Sequence, residues 1–374
     1  MSVKQLRRVL LTGDTEGGVW TFVLELAQGL LQREIEVCLV TFGPSVNQAQ
    51  EQSAAAIEGL NWFHHKSKLE WMQDPWSDIQ RAGQFLQEVA RNWIPDLVHL
   101  NTLCHGELAW GAPVIITHHS CVLSWWQAVK RSPLPEEWRR YQQEVEHSLQ
   151  CATAISAPTK SALMSVVRNY RIDPAEAYPI YNGRSFGVFR NEQKQEIVLS
   201  AGRLWDEGKN ISALAGLGSR LPWPVYLAGE SHNLNGVDIA FDGCHFLGKL
   251  STPELAGWYA KAAIYALPAR YEPFGLSILE AALSGCALVL GDIPSLREIW
   301  NDAAIFVSTG QDDALEPALR LLIENSSLRD RLSRRALQRA REFTQARMID
   351  GYLSLYEIAR ARYQERAGRH ACAS

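Results

Sequence analysis

Long hydrophobic runs are missing from this 374-residue chain: no stretch of about 18 apolar residues occurs, so no helix is expected to span a bilayer. Peripheral contact with a membrane is left open. Cysteine is sparse. The seven, at positions 38, 104, 121, 151, 244, 286 and 372, include no C-x-x-C pair. An odd, scattered set argues against a disulfide framework and for a reduced, cytoplasmic setting. A basic surplus is also missing, with 37 Lys and Arg against 41 Asp and Glu, a net charge of −4 and a pI of about 6.2. That excludes a whole-chain nucleic-acid binder. No G-x-G-x-x-G fingerprint is present, so nicotinamide binding is not indicated. His118, His119 and Cys121 stand close together, with His99, Cys104 and His105 nearby, but no zinc-type spacing links them, and no metal is expected. The opening MSVKQLRRVLLTGD has too short an apolar run for a secretory signal, and no internal repeat or low-complexity tract appears.

What is there is apolar residue in quantity. At 47% of the chain it suffices for two ordinary cores. Val9 to Thr12 reads as a strand, GDTEGGVW as a glycine turn, Val19 to Gln32 as a helix, and Glu36 to Phe42 as a second strand. This βαβ order predicts a Rossmann-like α/β domain in which Gly17 and Gly18 let the backbone approach a ligand. Strands are expected near Leu60 to His64, at Asp96 to Asn101 and at Pro113 to His118, with His65 to Ser77 as an exposed loop. Arg184 to Gln195 is polar and aperiodic and reads as an interdomain linker. A second set follows: a strand at Glu196 to Ala201, a helix at Thr252 to Lys261 capped by Thr252-Pro253, and two helices within Asp312 to Glu342. A last helix, from about Gln345 to Tyr363, ends in an arginine-rich tail expected to be disordered.

Nine of the 13 tryptophans precede residue 140. They can serve core packing, or an aromatic surface that stacks on sugar rings. The stretch CVLSWWQAVKRSPLPEEWRRY reads as a Trp-rich loop, and its Trp125, Trp126, Lys130 and Arg131 are candidate acceptor contacts.

The most informative stretch is RYEPFGLSILEAALSGCALVL, residues 270–290. Apolar strands lie on either side, at Ile264 to Ala269 and Ala287 to Leu290. Between them Pro273 breaks the chain, Gly275 opens a helical stripe and Gly285 closes it. Glu272 therefore falls in the crevice at a strand's carboxyl end, and Glu280 lies eight residues on, within the helix. The N–H groups around Phe274, Gly275 and Leu276 form an anion site at the helix start. An anion site beside two carboxylates suits a ligand bearing both phosphate and hydroxyls, such as a nucleotide sugar. Upstream, GRLWDEGKN puts Arg203 and Lys209 at another strand end, where two cations can neutralise a diphosphate.

E-P-F-G-L-x-x-x-E between two buried strands resembles the E-x7-E signature of retaining glycosyltransferases of the GT-B fold, in glycosyltransferase family 4 (group 1). Arg203 and Lys209 match that family's basic pair, Gly17-Gly18 its amino-terminal glycines, Thr117 to His119 its T-x-H, and Asn182-Gly183 its P-N-G element. The turn Pro294 to Glu298 is less glycine-rich than the family's. The resemblance implies two Rossmann-like domains facing across a cleft: residues 1–184 on the acceptor side, 196–343 on the nucleotide-sugar donor side, and 344–374 as a helix crossing back, with its tail. It implies metal-independent transfer of a sugar, with retention, to a glycan, lipid-linked or small-molecule hydroxyl acceptor in cell-envelope or extracellular glycan synthesis. No cofactor is expected beyond the donor. Arg203, Lys209, Glu272 and His119 would be catalytic, and Gly17, Gly18, His118, Phe274, Gly275, Leu276 and Glu280 would bind the donor. Two alternatives compete: a non-catalytic nucleotide-sugar sensor or partner subunit, and a nucleotide-sugar 2-epimerase.

Overall fold

A computed structural model describes residues 5–231, 243–310 and 314–372, with side chains to residue 366 in the last helix. The chain forms two compact units. One comprises Met1–Gln127, Ser132–Gly183 and Gln345–Ser374, and the other Ala128–Arg131 and Arg184–Thr344.

The first unit carries seven parallel strands: β1 (Arg8–Asp14), β2 (Glu36–Gly43), β3 (Asn61–Lys66), β4 (Leu97–Leu100), β5 (Val114–Thr117), β6 (Ala154–Ala157) and β7 (Ala177–Pro179). Their order is β3-β2-β1-β4-β5-β6-β7. Central strands such as β4 and β5 are buried at every residue, as parallel strands covered on both faces must be. One face packs on helices Trp76–Trp93, Arg139–Cys151 and Lys160–Asn169. The other packs on Gly18–Leu31 and on the final helix Gln345–Cys372, so the chain ends by returning to its first unit. That helix buries Met348, Ile349, Tyr352, Leu355, Tyr356 and Ala359, one stripe at helical spacing. Polar contacts fix its register. His99 Nδ1 meets the Tyr356 hydroxyl at 2.8 Å, and His99 Nε2 meets Thr117 Oγ1 at 2.6 Å.

Among the described residues the second unit carries six parallel strands: β8 (Gln195–Ala201), β9 (Val225–Ala228), β10 (His245–Gly248), β11 (Ala262–Leu267), β12 (Ala287–Gly291) and β13 (Ala304–Val307). Their order is β10-β9-β8-β11-β12-β13. Both sheets are thus doubly wound and Rossmann-like, each reversing its winding beside its first strand.

Several sequence expectations need correction. Residues 184–195 are no free linker. Arg184 is buried, donates its N–H to Phe343 O at 3.1 Å and places its guanidinium over the Phe189 ring. The Lys194 ammonium donates to Tyr259 O, Ala260 O and Ser284 O at 3.0, 2.8 and 2.5 Å. These carbonyls end helices Thr252–Lys261 and Leu276–Leu283, so one cation serves two negative helix termini. Within the expected exposed loop 65–77, Ser67, Leu69, Glu70 and Pro75 are buried. The expected Trp-rich loop contains a helix, Val122–Val129, which no Pro or Gly interrupts. Ser251, not Thr252, is the N-cap of Thr252–Lys261, in a reciprocal box with Glu254. The final helix runs to Cys372, past the expected end near Tyr363, while Asp312 lies outside the described residues. Trp71, Trp76, Trp93, Trp110 and Trp138 pack against the first unit's core, which accounts for much of the tryptophan excess.

Candidate active site

In the second sheet the winding reverses between β8 and β11, and both strands end in loops at that point. The loop after β8 is organised by Asp206. Its Oδ1 accepts the Gly208 N–H at 2.8 Å, an Asx turn, and its Oδ2 accepts Arg203 Nη2 at 3.1 Å. The Arg203 guanidinium also lies 5.3 Å from the Trp205 ring centre, so it is aimed from two sides. The loop after β11 is tied to this one. Arg270 N–H and Tyr271 N–H donate to Gly208 O at 2.8 and 3.0 Å, and Asn210 Nδ2 donates to Pro268 O at 3.1 Å. Across the tie, Lys209 Nζ donates to Glu272 Oε2 at 2.5 Å. Both side chains are largely buried, at 17% and 10% exposure, so each fixes the other more firmly than a surface pair would. Ser295 Oγ holds the Glu272 carbonyl from beneath at 2.5 Å.

The chain then passes Phe274 into helix Leu276–Leu283. Its N-cap, Gly275, has φ +89°, and a Cβ there would sit 2.6 Å from Ile278 Cδ1. Only glycine makes this turn without strain. The Phe274 ring is buried against Phe343, and Tyr265 OH donates to Ala201 O at 3.1 Å and lies 2.8 Å from Ser277 Oγ, whose hydroxyl can donate to it. The helix start is thereby clamped to the end of β8. Glu280, within the helix, faces Arg184 Nε at 3.0 Å, both side chains being nearly buried. In this unit, then, Lys209 meets Glu272 directly, Arg203 stands on the same loop as Lys209, and Glu280 pairs with Arg184 within the helix that begins after Gly275.

In the first unit the winding reverses between β1 and β4. Gly17, N-cap of helix Gly18–Leu31, has φ +83° and open space where a Cβ would stand. Past β5 the two histidines separate. His118 is wholly buried, and its ring lies by the Cys121 thiol. Burial pushes that thiol up, but the neighbouring His118 outweighs it and holds the thiol below its usual value. The two histidines expected to contact the donor thus differ in setting, His118 enclosed and His119 half-buried. His119 is only half-buried. Its Nε2 lies 2.8 Å from Asn101 Oδ1, and its ring packs edge-on to Phe22 with centroids 4.5 Å apart. Burial, then the neighbouring His118, lowers its pKa to about 3, so the ring is neutral.

Trp125 and Trp126, with ring centres 6.1 Å apart, belong to the first unit, whereas Lys130 and Arg131 group with the second. Lys130 Nζ is engaged by the Glu207 carboxylate at 2.7 and 2.8 Å. Among the described residues, no three His, Cys, Asp or Glu side chains converge as around a metal ion. Sequence reasoning missed Asp206, Arg184, Ser295 and Asn101. Only Asp206 left a signal, an aspartate two residues before a glycine.

Residues 16–185 match the family described as Glycosyltransferase Family 4, and residues 184–339 that described as Glycosyl transferases group 1. A D-inositol 3-phosphate glycosyltransferase from Nocardioides sp. is 26% identical, over 95% of this chain and 88% of that protein. A glycogen synthase from Mycobacterium tuberculosis is 27% identical over 76% and 74% of the two chains. Among solved structures, sucrose-phosphate synthase from Thermosynechococcus elongatus superposes with a TM-score of 0.73 at 16% identity, covering 98% of this chain and all of that one. Anabaena HepE, solved with UDP and glucose, gives 0.73 at 14% identity, covering 93% and 98%. Likenesses of this order establish a GT-B fold built of two parallel-sheet halves.

Proposed function

The chain belongs to the group 1 glycosyltransferases, with a family 4 amino-terminal half, and from that premise we propose that it moves a sugar from a nucleotide-diphosphate donor to a hydroxyl acceptor with retention of configuration. The carrying observation is the tied loop pair of the second unit, which presents Arg203 and the Lys209–Glu272 pair beside the start of helix Leu276–Leu283.

Breaking the bond from C1 to the diphosphate leaves negative charge on phosphate oxygens and positive charge on the sugar ring. Arg203, Lys209 and the N–H groups at residues 274–276 stabilise the phosphate charge, in a site organised before the reaction. They do so without a divalent ion. Glu272, fixed by Lys209, accepts sugar hydroxyls, and Glu280 accepts the nucleotide ribose. His119 takes a further sugar hydroxyl, and Gly17 and Gly18 allow close backbone approach in the first unit. The acceptor oxygen attacks the face the diphosphate leaves, and its proton passes to the departing phosphate oxygen, so atoms and charge balance without a protein nucleophile. The names of the relatives, among them O-antigen chain mannosyltransferases of Escherichia coli, favour a glycan or lipid-linked acceptor. Unpaired thiols at Cys38, Cys104, Cys121, Cys151, Cys244 and Cys286 favour a cytoplasmic setting, with the membrane's inner face open to it.

The test is a thermal-shift screen of nucleotide sugars, followed by turnover of the stabilising donor with a mixed acceptor extract and by NMR of the product's anomeric proton. Stabilisation by one donor, transfer and a retained anomer are expected. Binding with no turnover would favour the sensor reading, and an inverted anomer would remove the mechanism.

A further inference from the structure

Asn101 occupies the point where the first sheet reverses, directly after β4 and beside β1, and it is buried. Three bonds define it. Its backbone N–H donates to Thr12 Oγ1 at 2.8 Å, its Nδ2 donates to the Thr12 carbonyl at 2.9 Å, and its Oδ1 lies 2.8 Å from His119 Nε2. The Thr12 carbonyl can only accept, so the amide cannot be turned round: the NH2 must face Thr12 and the oxygen must face His119. An amide oxygen also only accepts. His119 Nε2 must therefore carry a hydrogen, and in a neutral ring Nδ1 must then be a bare lone pair.

We infer that Asn101 is a positioning residue that locks His119 in the Nε2–H tautomer, making Nδ1 a dedicated acceptor for a hydroxyl of the sugar substrate. The substrate role rests on the function proposed above; the tautomer does not. A bare nitrogen takes a bond from a hydroxyl and refuses a phosphate or carbonyl oxygen, which brings no hydrogen. The same ring held as imidazolium, or in the Nδ1–H form, would prefer anionic oxygen. The Asn101 bond thus assigns His119 to the hydroxyl-bearing part of the ligand and not to its diphosphate. Burial beside His118 acts in the same direction by lowering the His119 pKa.

The test uses the full-length protein with no ligand, labelled with 15N-histidine. Long-range 1H–15N correlation is recorded between about pH 5 and 8, where an ordinary histidine titrates, and His119→Gln assigns the signal by its loss. The expected pattern is a pyridine-type Nδ1 and a pyrrole-type Nε2 that do not titrate. An Nδ1–H pattern, or an imidazolium appearing near neutral pH, overturns the inference. In Asn101→Leu the fixed pattern should give way to a tautomer mixture, and persistence of the Nε2–H form would show that Asn101 does not set it. Should that variant not fold, Asn101→Ala is read in the same way. A failure of the transfer reading shows separately, as no turnover of any donor by the wild-type protein with the tautomer still as assigned, whereas normal turnover in His119→Gln removes the hydroxyl-acceptor role alone.

Discussion

Arg203 and Lys209 stand on one loop but are held by different partners, and their loss should differ in consequence. Arg203 is held by Asp206 and Trp205 and is a third exposed, so Arg203→Ala should fold normally and lower kcat about 10²-fold or more, like loss of an oxyanion donor. Steady-state kinetics at saturating donor reads this, and near-wild-type turnover would remove its diphosphate role. Lys209 shares a largely buried ion pair, so Lys209→Ala should combine a similar loss of rate with roughly 3 kcal/mol of destabilisation from stranding Glu272. His99 makes a separate prediction. Burial, and secondarily His119, holds its pKa down to about 3. Above its usual value near 6.5 it is neutral folded or unfolded. Below that, only the unfolded chain takes up the proton, so stability falls as pH drops from 6.5 toward 3. At pH 5 the loss should be roughly 2 kcal/mol, with His119 and His105 displaced in the same direction. Melting temperatures measured from about pH 7.5 down to 5 should fall, and less steeply in His99→Gln; equal slopes would contradict the assignment.

At the scale of elements, helix Leu276–Leu283 is held at both ends. Its start is clamped through Tyr265, Ser277 and the Gly275 turn, and its end through Lys194. Lys194→Met removes three charge-assisted bonds to helix carbonyls and should cost about 2–4 kcal/mol by chemical denaturation. A loss below about 0.5 kcal/mol would mean that solvent satisfies those carbonyls equally well. The sequence is uneven at this scale for physical reasons. Buried parallel strands announce themselves as continuous apolar runs, and β5, β8, β11 and β12 were all legible. The 184–195 segment was not, because its polar side chains fold inward to bond carbonyls and Glu280, and composition records polarity without direction. Helix Val122–Val129 was hidden by the prolines and charges just after it. In the candidate site, residues that belong to a motif were legible, and the residues that bond to them were not. Asn101 acts through a single amide whose partners lie 89 and 18 positions away in sequence.

For the whole molecule, the GT-B fold repeats one plan: a doubly wound parallel sheet, with function-bearing loops at the reversal of each. For the proposed transfer, the second half offers cations and a helix start, and the first a neutral imidazole and a glycine turn. The last helix shields one face of the first sheet, so ending the chain at Thr344 should expose Tyr352 and Tyr356's buried seat and leave the first half aggregation-prone. The central claim is that the departing diphosphate is held by Arg203, Lys209 and the backbone at residues 274–276. It is tested most directly by a crystal structure with the nucleoside diphosphate of whichever donor raises the melting temperature most. Phosphate oxygens are expected within hydrogen-bond distance of both side chains and of those N–H groups. Phosphates bound elsewhere, with Arg203 and Lys209 still turned to Asp206 and Glu272 alone, would contradict it.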